Sequence, residues 1–112
     1  EALDLDAMRK AAELLLGEHD FKAFTSAKKS KKSTVRRIDE IRIERIENRV
    51  EFVFTGNGFL YNMVRIIVGT LYEVGYGRIK SQDIKAIIKG KDRSMAGITA
   101  PAHGLYLKEV FY

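Results

Sequence analysis

Residues 59–74 (FLYNMVRIIVGTLYEV) carry apolar or aromatic side chains at helical spacing around almost the whole circumference of a helix. On a 100° wheel, Leu60, Met63, Ile67, Thr70, Leu71 and Val74 form one face, and Tyr61, Arg65, Val68 and Tyr72 cluster opposite it. A helix with no solvated face has to be covered on both sides, so the rest of the chain must wrap it. Arg65 is the exception, because a guanidinium in such a helix must meet an anion or stand at the rim of a cleft. Its planar, permanently charged fork suits bidentate pairing with a carboxylate or phosphate. Two partners are open: an acid of this chain, giving a structural ion pair, or a group outside it.

The flanking segments supply the covering. Residues 4–16 place Leu5, Met8, Ala12, Leu15 and Leu16 at helical spacing, with Asp4 or Asp6 as cap and Gly17 just past the end. Ile41, Ile43, Val50, Phe52 and Phe54 alternate with polar residues on either side of Glu47-Asn48, which predicts an antiparallel hairpin over 35–55, with Asn48 tolerating left-handed turn geometry. Gly56-Asn57-Gly58 reads as a strand-to-helix turn, and Gly75 and Gly77 stop the central helix. A short third helix runs from Ser81 to about Gly90, with Asp83 in its first turn, and Leu105 to Phe111 form a last strand. With 112 residues, 46% of them hydrophobic, the chain is one domain with a real core. The order α-β-β-α-α-β predicts an α+β fold, an antiparallel sheet with helices packed on one face.

Charge is concentrated in one place. The net charge is +5, yet the stretch KKSKKSTVRR from Lys28 to Arg37 holds six basic residues and no acid, and the rest of the chain has 14 basic against 15 acidic residues. Lys28, Lys29, Lys31, Lys32, Arg36 and Arg37 can track a phosphate backbone and gain from counterion release, so nucleic acid is the natural partner. A solvated loop accounts for the same composition. Absence of cysteine excludes disulfide scaffolds, thiolate metal sites and cysteine nucleophiles, and fits a reducing cytoplasm. His19 and His103 have no companions at ligand spacing, so each reads as structural and no metal is implied. No apolar stretch reaches membrane-spanning length, because Arg65 splits the best candidate. No catalytic constellation is visible in the chain, and the start at Glu1 is expected to mark a piece of a longer protein.

Three segments, LLLGEHDFKAF at 14–24, GNGFLYNMVRIIVGTLYEVG at 56–75 and KDRSMAGITAPAHGLYL at 91–107, with S-x-V-R-x-I at Ser33–Ile38 between them, resemble the C-terminal domain of the tRNA pseudouridine synthase A family. The resemblance implies one domain of a pseudouridine synthase fold, the C-terminal half of a two-domain cytoplasmic enzyme. That enzyme would convert uridines of the tRNA anticodon stem-loop to pseudouridine, working as a homodimer without cofactor or metal. The family's catalytic aspartate lies in a Gly-Arg-Thr-Asp type loop of an N-terminal domain that this sequence lacks, so the chain is expected to be inactive alone. Arg65 matches the arginine that pairs with that aspartate, and the N-terminal domain becomes its partner. Leu105 matches the apolar residue lining the base pocket, and Tyr61 is placed in the same pocket. The segment around Arg93, Ser94 and Thr99-Ala100-Pro101 is a family signature without an assigned chemistry. Two other readings compete: a stand-alone RNA-binding module using the basic stretch with Tyr61 and Tyr72 as stacking surfaces, and a dimerisation domain whose apolar helix face a second copy covers.

Overall fold

In a computed structural model that describes residues 3–26, 33–101 and the backbone of 106–111, helix α1 (Leu5–Leu14) begins at a side-chain cap. Asp4 Oδ1 accepts the Ala7 N–H at 3.0 Å, supplying one of the donors that a helix start leaves unpaired. The helix buries Met8, Ala11 and Ala12 and is pinned to the sheet by Arg9, whose Nε and Nη2 donate to the Ile43 carbonyl at 3.0 and 2.8 Å. Gly17 then turns the chain at φ 92°.

Gly17–Asp20 forms a strand, β1, which the sequence pattern does not announce. Four residues are too few for alternation to register, and β1 exists because it can pair antiparallel with the first residues of β2 (Val35–Ile46). Between them a 3-10 turn, Lys22–Phe24, buries Ala23 and Phe24. The expected hairpin is present: β2 pairs antiparallel with β3 (Arg49–Gly56), with Ile43 opposite Phe52 and Ile41 opposite Phe54. Its turn differs in one detail, since Glu47 rather than Asn48 takes the positive φ, 60°.

Helix α2 (Met63–Gly75) starts four residues later than periodicity predicts, because Asn62 adopts a left-handed conformation, φ 58°, that no helix can continue through. Gly75 closes α2 without a turn conformation of its own; an added Cβ would lie 2.6 Å from Leu3 and 2.7 Å from Met8, so its role is to let α1 approach. The turn falls to Gly77, φ 81°. A 3-10 turn at Ser81–Asp83 leads into α3 (Ile84–Gly90), and Lys91, not Gly90, takes the left-handed position that ends it.

The strand order is β1-β2-β3-β4, with β4 (Tyr106–Phe111) lying parallel to β3. The first three strands make the expected antiparallel sheet with helices packed on one face. The fourth runs parallel because the long connection through α2 and α3 returns the chain to the same end of the sheet. Phe52 and Phe54 of β3 and Ile43 of β2 meet α2 in the core, while Arg42 and Glu44 stand on the outer face. Among α2's residues only Arg65, Tyr72 and Glu73 are partly exposed, so the helix is wrapped by its own chain.

Candidate functional site

Residues 91–101 lie across α2 as a strap, and two glycines allow the approach. A Cβ on Gly69 would lie 1.8 Å from the Ile98 carbonyl oxygen, and one on Gly97 would lie 2.7 Å from Thr70 Cα. Thr70 Oγ donates to the Ile66 carbonyl at 2.8 Å and accepts the Gly97 N–H at 2.8 Å, which satisfies a fully buried hydroxyl. The strap is stiffened from within. Arg93 donates to the Gly97 carbonyl at 2.8 Å and to Thr99 Oγ1 at 3.3 Å, and Asp92 caps its 3-10 turn through both the backbone N–H and the hydroxyl of Ser94. Those two bonds hold the Asp92 carboxyl below the usual carboxylate range. Arg93, Ser94 and Thr99 thus have structural roles that the sequence alone does not disclose.

Where the strap crosses the start of α2 it holds Arg65. The Ala100 N–H donates to the Arg65 carbonyl at 3.0 Å, and Arg65 Nε donates back to the Ala100 carbonyl at 2.7 Å. Arg65 Nη1 donates to Asn62 Oδ1 at 3.3 Å. The side chain is half-buried, and among the described side chains no carboxylate reaches ion-pair distance of it. Among the described residues, the ion pair offered as the first of the two alternatives is absent. With Nε occupied by a carbonyl, the edge left for a bidentate anion is the Nη1–Nη2 end of the fork.

Tyr61, just before Asn62, is 70% exposed, and its carbonyl accepts from Thr25 Oγ1 at 3.0 Å. Tyr72 is different: it packs edge-on to Phe52 at 5.7 Å and stacks on Tyr76 at 6.4 Å, and burial pushes its hydroxyl above the ordinary tyrosine range. Its ring is partly buried and packed against the core. Leu105 and Lys28, Lys29, Lys31 and Lys32 lie outside the described residues. Arg36 and Arg37, being adjacent on β2, project to opposite faces. Arg36 donates to the carbonyls of Ser33 and Val35, and Arg37 pairs with Asp39 at 2.8 Å. His19 Nε2–H donates to the Leu16 carbonyl, 2.7 Å away, in a structural role.

The sequence profile described as tRNA pseudouridine synthase matches residues 11–112, strap and Arg65 included. The chain belongs to the tRNA pseudouridine synthase family. It is 54% identical over 110 residues to the tRNA pseudouridine synthase A of Acetivibrio thermocellus, covering 98% of this chain and 45% of that protein. It is 52% identical over 112 residues to tRNA pseudouridine synthase A 2 of Clostridium tetani, covering 100% of this chain and 45% of that protein. The Bacillus pumilus tRNA pseudouridine synthase A is 50% identical over 110 residues, 98% of this chain and 44% of that protein. The chain therefore spans less than half the length of these relatives. Among the described residues, no helix is long and apolar enough to cross a membrane.

Sequence reasoning singled out Arg65 but missed what holds it. Asn62, the Ala100 carbonyl and the Gly69–Gly97 contact are features of the folded chain. Two signals stood in the sequence: an amide side chain at the head of an apolar helix, and a glycine in its middle, where a close backbone approach is the usual reason.

Proposed function

We propose that this chain is the C-terminal half of a cytoplasmic tRNA pseudouridine synthase that acts on uridines of the anticodon stem-loop, and that Arg65 pairs with the catalytic aspartate of the N-terminal half. One observation carries the reading: a half-buried guanidinium, braced at Nε and Nη1, with no described carboxylate beside it. A carboxylate arriving end-on would be held ionised and oriented. That suits a group that must attack C1′ while the C1′–N1 bond of uridine breaks; the base then turns, C5 displaces the carboxylate from C1′, the C5 proton is lost and N1 gains one. The target nucleotide has to leave its stack to reach such a cleft. Exposed Tyr61, and Leu105 by resemblance to the family, would line the pocket, and the chain alone would be inactive. The Lys28–Arg37 stretch would contact phosphates, and the family resemblance supports a homodimer.

The test is Arg65→Ala in the full-length enzyme. Removing a preorganised charge partner is expected to cost at least about a hundredfold in kcat, with the denaturation midpoint nearly unchanged because the head group stands at the rim of the core. Tritium release from C5-labelled uridine in tRNA reads the outcome. Release at the parent rate would refute the assignment.

A further inference from the structure

The contact that fixes the free end of Arg65 comes from a residue with an unusual backbone. Asn62 occupies the N-cap position of α2 at φ 58°, ψ 9°, yet its side chain makes no capping bond to the helix. The carboxamide is used at both ends elsewhere: Oδ1 accepts from Arg65 Nη1 at 3.3 Å, and Nδ2 donates to Ser26 Oγ at 3.1 Å. An N-cap asparagine would normally accept from the N–H two or three residues on, and forgoing that bond gives up helix stability. The orientation of the amide follows from the donors around it, since only the oxygen can face a guanidinium and only the nitrogen can donate to the hydroxyl. The backbone reinforces the same point, because the Asn62 carbonyl accepts the Ile66 N–H at 2.9 Å, and Tyr61 is anchored to Thr25 and Ser26. Arg65 is thus clamped between Ala100, which takes Nε, and Asn62, which takes one donor of Nη1. A long flexible side chain held at two points has one direction left for the rest of its fork.

We infer that Asn62 is a positioning residue, its carboxamide, braced by Ser26, aiming the Nη1–Nη2 end of Arg65 at the carboxylate it serves. The inference rests on the proposed pairing of Arg65 with the catalytic aspartate. Loosening Arg65 would let the aspartate take up its proton more readily, so the acid limb of the pH–rate profile should move to higher pH.

The experiment compares Asn62→Gly, Ser26→Ala and Arg65→Ala in the full-length enzyme. Glycine accepts the left-handed backbone, so Asn62→Gly removes the carboxamide and spares the turn. It is expected to lower kcat about tenfold, to leave KM for tRNA within about twofold, to keep the denaturation midpoint, and to raise the acid limb by about half a pH unit. Ser26→Ala should shift kcat and the limb in the same direction by less. Full activity and an unmoved limb in Asn62→Gly would show that Asn62 serves only its turn and would overturn the inference. A fall in kcat accompanied by a lowered midpoint, with the limb in place, would overturn it too. If Arg65→Ala is inactive while Asn62→Gly matches the parent, this inference alone fails; if Arg65→Ala is active, the proposed pairing beneath it fails.

Discussion

A carbon atom added at Gly69 would stand 1.8 Å from the Ile98 carbonyl oxygen, a distance that no side-chain rotation can relieve because the backbone fixes where a Cβ lies and the oxygen it meets is itself backbone. Gly69→Ala is therefore expected to push the strap off α2 and to destabilise the fold by about 1–3 kcal/mol, measured as a lowered urea midpoint. It should also reduce turnover, since the same strap presents the Ala100 carbonyl to Arg65. At this scale the sequence was legible only in part. Arg65 stood out because a charge in an apolar helix is conspicuous, but its partners sit 3 and 35 residues away along the chain, the distant one a main-chain carbonyl that leaves no mark on residue identity. The strap residues were recognisable as a signature and opaque as chemistry for the same reason: Arg93 and, from α2, Thr70 satisfy the backbone groups of Gly97, and Thr99 accepts from Arg93, at positions that only folding creates.

Among the elements, those with long apolar periods were the ones read correctly. The β2–β3 hairpin and α1 follow alternation and helical spacing closely, and Asp4 caps α1 as its residue type and place predict. Strand β1 is the counterexample, and its stability depends on a polar tie. At its end, Asp20 Oδ1 accepts from the Thr34 hydroxyl and from the Lys22 N–H at 3.1 Å, and Lys91 Nζ lies 3.5 Å from Oδ2. Chiefly through the Thr34 bond, the Asp20 carboxyl is held below its ordinary value. A carboxyl with a lowered folded-state pKa stabilises the fold at pH above its unfolded value, roughly 4. That contribution is lost as the pH falls through the lower folded value. Asp20→Asn should therefore reduce stability at pH 7 and flatten its decline between about pH 5 and pH 3. Urea midpoints of the parent and variant at several pH values check this; parallel curves would remove Asp20 from the acid response.

For the whole molecule, the charge excess of Lys28–Arg37 predicts how it meets RNA. Replacing Lys28, Lys29, Lys31 and Lys32 with Ala in the full-length enzyme should weaken tRNA binding and lower the slope of log K against log salt by roughly 0.7–0.9 for each phosphate contact removed. An unchanged slope would mark the stretch as a solvated loop. Arg36 and Arg37, grouped with those lysines by their neighbourhood in sequence, are adjacent on β2 and leave it on opposite faces. The sequence by itself determined the α+β class, the buried central helix, the hairpin and the oddity of Arg65, because burial and periodicity are written in residue types at short range. The tertiary structure decided the parallel placement of β4, the existence of β1, and the clamp of Ala100 and Asn62 around Arg65. The strands and the Ala100 contact depend on which backbone groups meet across long loops, and backbone donors and acceptors are the same in every residue except proline; the Asn62 contact depends on a left-handed backbone that turns its carboxamide to Arg65.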